Sequence, residues 1–493
     1  MKLAFDNEKY LKLQSENILK RVEKFSGKLY LEFGGKLFDD YHASRVLPGF
    51  LPDSKLRMLL TIKEKVEIII AINANDIQFN KLRGDLNITY EADVLRLINA
   101  FRDSSLYVSS VVITRYQDVP QVKSFEIKLK NLGIKTYKAY EIPGYPHNVE
   151  TIISEDGFGK NDYVETNREV VVVTAPGPGS GKMATCLSQL YHENKRGIKA
   201  GYAKYETFPI WNIALLDPVN QAYEAATADL ADVNMIDPYH LEAYGKTTIN
   251  YNRDIDIFPV LKSMFNAIYG TCPYNSPTDM GVNMAGFAIF DHEVSDKASK
   301  DEIIRRYLNT KVLLRNGRAK ESALDKIALL MRGLNISVSD RKVVKAAMDK
   351  SILSGTPSMA LELEDGTIVD SKTSPFLSAP AALLLNALKK LANLKDDTLL
   401  LAPQVIEPVS KLKIDNLGNK NPRLHADEVL IALAISALND ENAAKALKEL
   451  KNLAHTQAHS TVILSEADMK TFSKLRIDVT SEPEAYVHRL YVK

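Results

Sequence analysis

The chain opens with an amphipathic stretch in which Leu11, Ile18, Val22 and Phe25 recur at helical spacing, behind Asp6 as an N-cap. Short β-branched and apolar runs follow at Leu29–Phe33, Val66–Ile72, Ser109–Thr114, Ile134–Tyr140, Val170–Thr174 and Lys199–Tyr205. Between them, Ser54–Lys65, Glu91–Phe101, Gln121–Leu132 and Lys182–Lys195 carry a helical period. Strand and helix patterns that alternate in this way predict an α/β fold with an open, mostly parallel sheet.

From about residue 250 the strand patterns thin out, and Lys300–Leu308, Ala323–Arg332 and Asp340–Asp349 read as helices. After Gly355 strands return. MALELEDGTIVDS reads as a hairpin around Asp365-Gly366, because Asp-Gly supplies the left-handed backbone of a tight turn. SAPAALLLNALKKLANL and HADEVLIALAISALN read as core helices, and LLLAPQVI, STVILS and LRIDVTSEP as strands. The expected organisation is an N-terminal α/β domain over 1–249, a helical middle domain over 250–354 and a C-terminal α/β subdomain over 355–493.

Composition narrows the function classes. Lys and Arg number 63 against 62 Asp and Glu, a net charge of +1, and no basic block occurs, so general electrostatic binding of nucleic acid is not expected. The two cysteines, Cys186 and Cys272, do not make a disulfide framework. The N-terminus is charged throughout, and the longest apolar run, Val429 to Leu438, is too short to span a bilayer and reads as a buried helix. A soluble cytoplasmic protein, with no membrane partner and a tendency to homo-oligomerise, is expected.

The segment VVVVTAPGPGSGKMATCLSQLYHE carries the most chemistry. A β-branched strand enters a turn with Gly177, Gly179, Ser180, Gly181 and Lys182, and a helix with Met183, Cys186, Leu187, Leu190 and Tyr191 on one face follows. Small residues let backbone N–H groups curl around an anion, and the helix N-terminus adds partial positive charge. The match to a P-loop is incomplete: Pro176 stands where the first glycine belongs, and Met183 where a magnesium-binding Ser or Thr belongs. Thr185 lies about 200° further round the helix at ~100° per residue. The dinucleotide fingerprint also fails, with Lys182 at the third glycine position. The loop follows the fifth strand rather than the first, which points to a different α/β topology.

In open α/β sheets ligands gather at the carboxyl ends of the strands. Here those ends run into Gly34, Gly35 and Lys36, with His42 and Arg45 beyond; into Asn73, Asn75 and Asp76, with Lys81, Arg83 and Asp85 beyond; and into Thr114 and Arg115. Arg45, Arg83 and Arg115 are the candidate clamps for a second anionic group, as guanidinium matches phosphate in two places. Downstream, Glu224, Asp229, Asp232, Asp237 and Glu242 form an acidic constellation. Asp232 and Asp237 are the candidate divalent-metal ligands, and His240, His42 and Asp237 the candidate proton-transfer and catalytic groups. His455 and His459 are spaced to share a helical face.

The glycine segment, with KAGYAKYETFPIWN, ATADLADVNMIDPYHLEAYG, SPTDMGVN and EFGGKLFDDYHASRVLPGF, resembles a bacterial family catalogued as a domain of unknown function, number 1846 in that series. The resemblance covers essentially the whole chain. It implies a cytosolic protein with an α/β N-terminal part, a helical middle and a C-terminal α/β subdomain, and it brings no catalytic residue with it.

The resulting expectation is an enzyme that binds a phosphorylated small molecule or nucleotide through Gly177–Lys182 and performs transferase-like chemistry, with a nucleotide and a divalent cation as the cofactors the pattern would accommodate. A non-catalytic nucleotide sensor or assembly protein is the alternative. A dinucleotide-dependent oxidoreductase, with Glu206 on the ribose, is the third.

Overall fold

The computed structural model describes residues 2–34, 37–83, 88–230 and 232–485. Gly35, Lys36 and Asp85, considered above, lie outside them. The chain divides into two compact units, one of residues 2–224 and 232–299, the other of 225–231 and 300–493.

The first unit is built on a seven-stranded parallel sheet of β1 (Leu29–Phe33), β2 (Val66–Asn73), β3 (Tyr107–Thr114), β4 (Lys135–Lys138), β5 (Val170–Thr174), β6 (Gly201–Tyr205) and β7 (Gly281–Val282), in the order 7-6-1-5-2-3-4. β2 and β5 are buried along their whole length, as continuous apolar runs are when helices cover both faces of a parallel sheet. Six of the strands lie where the hydrophobic pattern puts them. The two-residue β7 has too little periodicity to be read.

The connections matter for function. From β2 the chain steps to β3 and β4 in one direction; from β5 it steps over β1 to β6 and on to β7 in the other. Right-handed crossovers therefore send the chain to opposite faces after β2 and after β5, which are neighbours. A crevice opens outside the carboxyl ends at such a reversal.

The helices of this unit are set by local chemistry. In α1 (Asn7–Lys24) the Asp6 side chain accepts from Lys9 N at 2.9 Å. Thr89 caps α2 (Tyr90–Asp103) through Ala92 N. Further on come α3 (Pro120–Asn131) and α4 (Lys182–Lys195). Residues 250–299 belong to this unit because α5 (Asn252–Tyr269) turns Phe258, Leu261 and Phe265 inward, with the Phe265 ring 6.2 Å from Tyr202 of β6. The helical stretch expected over 250–354 is thus divided at 299/300.

In the second unit, β8 (Ser358–Glu362), β9 (Ile368–Lys372), β10 (Gln457–Ser460) and β11 (Asp478–Ser481) form a sheet in the order 9-8-10-11. The β8–β9 hairpin forms as expected, with Gly366 at φ +83°. Three local expectations are corrected. LLLAPQVI is not a strand: Pro403–Lys411 is helical, because Val405, Ile406 and Val409 fit one face packed on the core. STVILS gives way to β10, three residues earlier, so His459 lies in a central strand while His455 turns at φ +67°, and no shared helical face exists. The helix Ala426–Ser436 buries Val429 and Leu433 but exposes Ile431 and Ile435, so it is a surface helix. Among the described residues no helix is long and apolar enough to cross a membrane.

His459 gives this unit a specific acid sensitivity. Its Nδ1 lies 2.9 Å from Thr480 Oγ1, and its Nε2 3.7 Å from a Glu482 carboxylate that Lys311 shares at 3.4 Å. Burial, reinforced by the charges of Arg341 and Lys311, lowers the imidazole from 6.5 to about 3. Between these values the unfolded chain binds the proton and the folded chain does not. Stability is therefore intact above pH 6.5 and falls with acid by about 1.4 kcal/mol per pH unit. In urea unfolding at pH 4.5, His459→Gln is expected to narrow or reverse whatever deficit it shows against the wild type at pH 7. An unchanged gap would exclude the assignment.

Candidate functional site

The turn between β5 and α4 occupies the reversal point of the sheet. Its carbonyls are tied down one after another. Ser180 Oγ donates to Gly177 O at 3.0 Å, Asn73 Nδ2 to Gly179 O at 3.5 Å, Thr114 Oγ1 to Ser180 O at 2.9 Å, and Thr185 Oγ1 to Gly181 O at 2.9 Å. Asn73 and Thr114 end β2 and β3, so the convergence of strand ends expected from the sequence is real. Gly179 and Gly181 take φ +79° and +87°, a left-handed backbone that glycine adopts without strain. Gly177 is needed for a different reason: a Cβ there would stand 2.2 Å from Tyr90 Oη. Among the described residues the N–H groups of Gly179, Gly181 and Lys182 have no protein acceptor.

The side chains named from the sequence fall into three groups. Lys182, the first residue of α4, is half-buried and makes no ion pair among the described residues. Arg115 is exposed beyond β3 at φ +47°. These two remain available. Ser180 is not, since it is fully buried and its hydroxyl is spent on Gly177 O. Arg83 is held by Asp93 at 2.9 Å, which Arg96 shares at 2.7 Å, and serves the packing of α2. Arg45 and His42 sit half-buried on the short helix Tyr41–Val46, where the His42 ring lies 5.3 Å from Phe208 and 6.5 Å from Tyr223.

The acidic constellation does structural work. Asp237 is fully buried; its carboxylate caps the helix Pro238–Tyr244 at His240 N, 3.0 Å, and accepts from Thr278 N and Oγ1 at 3.1 and 2.6 Å. Three donors leave little of it for a metal or a proton. Asp232 is paired with Arg253 at 2.5 Å. His240 Nδ1 lies 2.9 Å from Ser276 Oγ and 3.8 Å from Asp279. These partners belong to the segment leading into β7, not to the glycine turn. Among the described residues no group of three or more His, Cys, Asp or Glu side chains could hold a metal.

A second charged cluster lies at the end of β6. Lys204, near the end of β6, contacts Asp254 and Tyr251 and lies 2.9 Å from Glu206; Tyr251 Oη donates to Glu206 at 3.1 Å. Glu32, the register partner of Lys204 on β1, accepts from Tyr202 Oη at 2.7 Å. Burial pushes the Glu206 carboxyl up to about 7; Lys204 opposes this and Asp254 adds to it. Burial alone would lower Lys204, but Asp254, Glu206 and Glu32 outweigh it and hold the ammonium charged. The available signal was the placement of Lys204 and Glu206 at alternate positions of a strand otherwise buried and uncharged. Glu206 is not placed for a ribose beside the glycine turn: it is committed to Lys204, and β1 separates β6 from β5.

The family models settle where this architecture belongs. One, described as domain of unknown function DUF1846, N-terminal, matches residues 3–335, and its C-terminal counterpart matches 339–491. The chain belongs to this family. It is 55% identical over 492 residues to a UPF0371 protein of Streptococcus sanguinis (strain SK36), each chain covered completely. A UPF0371 protein of Streptococcus thermophilus (strain CNRZ 1066) is likewise 55% identical over 492 residues. One from Streptococcus pyogenes serotype M5 is 53% identical over 491 residues, spanning 100% of this chain and 99% of the relative. In this DUF1846 chain the glycine turn and the Lys204 cluster both fall within the segment matched by the N-terminal model.

Proposed function

We propose that this protein is an enzyme that binds a phosphorylated small molecule at the carboxyl edge of its parallel sheet and performs group transfer on it. One observation carries the reading: the glycine turn has its carbonyls bonded by side chains while the N–H groups of Gly179, Gly181 and Lys182 have no protein acceptor among the described residues. Turned this way, at the head of a fourteen-residue helix, the backbone presents donors and a positive dipole end to an anion. Lys182 adds a full charge, and Arg115 is the remaining candidate for a second contact. Asp232 and Asp237 have no part in it, so a metal brought by the ligand would rely on other groups.

Calorimetric titration of the full chain with inorganic phosphate and ATP tests this. Lys182→Ala is expected to weaken binding about 10- to 100-fold, the size of one charge-assisted contact of ~1.5–3 kcal/mol. Absence of binding by the wild type would end the proposal. Binding with no turnover of any phosphorylated compound would favour the sensor reading.

A further inference from the structure

The glycine turn has a side-chain neighbour whose hydroxyl is unspent. Tyr90 is the first residue of α2, the helix on the crossover from β2 to its parallel neighbour β3. A crossover helix runs back against the strands it joins, so its first residue lies at their carboxyl edge. There Tyr90 N donates to Lys81 O at 2.8 Å, and the Lys81 ammonium stands 4.6 Å from the centre of the Tyr90 ring. Tyr90 is 5% exposed, and the hydroxyl end of its ring meets the turn. From the position of a Cβ on Gly177, Oη is 2.2 Å away, Cζ 2.6 Å and Cε2 3.1 Å. One further bond leads to Gly177 Cα, so Oη lies within about 4 Å of the backbone of the turn. Ser180 Oγ donates to Gly177 O at 3.0 Å, which folds Gly177 back towards the start of α4. Glycine at 177 is what admits the hydroxyl, since any Cβ there would overlap it.

A phenolic hydroxyl both donates and accepts, and a buried one finds a partner as a rule. Other buried tyrosines of this unit follow that rule. Tyr10 and Tyr205 bond each other at 2.7 Å, Tyr30 donates to Glu193 at 2.7 Å, Tyr202 to Glu32 at 2.7 Å and Tyr251 to Glu206 at 3.1 Å. The Tyr90 hydroxyl has no partner among the described residues. A buried polar group left in this state marks a place that something else satisfies. What else faces the turn defines the chemistry. The N–H groups of Gly179, Gly181 and Lys182 lack protein acceptors among the described residues, and Lys182 adds an ammonium, so the offered groups are donors. Lys81, beside the ring, is shared with Asp76 at 3.2 Å. A partner for such a set accepts on several sides, as the oxygens of a phosphoryl group do.

We propose that Tyr90 is a binding residue of this site, its hydroxyl donating to an oxygen of the phosphoryl group that the turn holds through its N–H groups. The proposal rests on the phosphate reading of the turn and adds to it a side chain from another element of the fold.

Tyr90→Phe removes one oxygen and keeps the ring beneath Lys81. In calorimetric titration of the full chain with inorganic phosphate and with ATP, it is expected to weaken binding ten-fold or more, as loss of a hydrogen bond to a charged group does. Urea unfolding without phosphate is expected to show no loss of stability, because the hydroxyl has no protein partner to lose. Wild-type affinity in Tyr90→Phe, with Lys182→Ala still weakening binding, overturns this inference and leaves the turn reading standing. A loss of stability in the absence of phosphate also overturns it, since the hydroxyl would then serve the fold. Absence of binding of either probe by the wild type removes the underlying reading as well.

Discussion

Gly181→Ala is expected to abolish measurable phosphate binding while leaving the fold intact. Gly181 sits at φ +87°, and a Cβ there would lie 2.8 Å from Thr114 Cγ2 and 3.0 Å from Thr114 Oγ1. The left-handed backbone costs an L-residue about 1–2 kcal/mol. The larger consequence is mechanical. Thr114 Oγ1 is the strut that holds Ser180 O, so the new methyl group displaces the contact that fixes the direction of the turn's N–H groups. Gly179→Ala is the built-in comparison. It shares the positive φ, at +79°, but has no atom within 4 Å of its Cβ position. It is expected to cost similar stability, about 1–2 kcal/mol in urea unfolding, with a much smaller loss of affinity. Equal losses of affinity at the two glycines would show that strain alone, and not the Thr114 strut, matters.

Lys204→Met carries the largest expected effect on stability, about 3–5 kcal/mol, because it leaves buried carboxylates without their cation. Asp254 loses its contact with the ammonium, and Glu206 its 2.9 Å partner. The sign of the pH dependence follows from Glu206, whose carboxyl is already raised to about 7 by burial. A carboxyl raised on folding favours the folded state fully only below its unfolded value of 4.5, and that contribution is lost as pH rises through about 7. Without Lys204 the carboxyl rises further. The deficit of Lys204→Met against wild type in urea unfolding is therefore expected to be larger at pH 8 than at pH 6. Adding Asp254→Asn should recover part of it by removing one uncompensated charge. A deficit that does not change with pH would mean that Lys204 acts through packing.

The glycine turn was legible in the sequence, and the Lys204 cluster was not. Gly177, Gly179 and Gly181 after a β-branched strand announce a tight strand-to-helix turn locally, since turn geometry and helix N-terminus depend on a few consecutive residues. Asn73 and Thr114 could be named because strand ends in a parallel sheet must share one edge. Asp237 is ambiguous in sequence, because an aspartate before proline looks the same whether it caps a helix or holds a metal. Its three donors, two of them on Thr278, are visible only in the fold. The pairing of Arg83 with Asp93 is likewise invisible in the sequence.

What the sequence determined by itself was the alternation of elements, six of the seven strands of the large sheet, the glycine turn and its place after the fifth strand. These follow from hydrophobic period and backbone sterics, which act between near neighbours in the chain. Tertiary structure alone decided the strand order, with β1 between β5 and β6, and hence where the crevice lies. It also decided which charges are spent and which are free, because Lys204, Glu206, Tyr251 and Asp254 meet across some fifty residues of chain. Ion pairing and desolvation depend on distance in space, and nothing in a local pattern encodes which distant carboxylate a buried lysine will find.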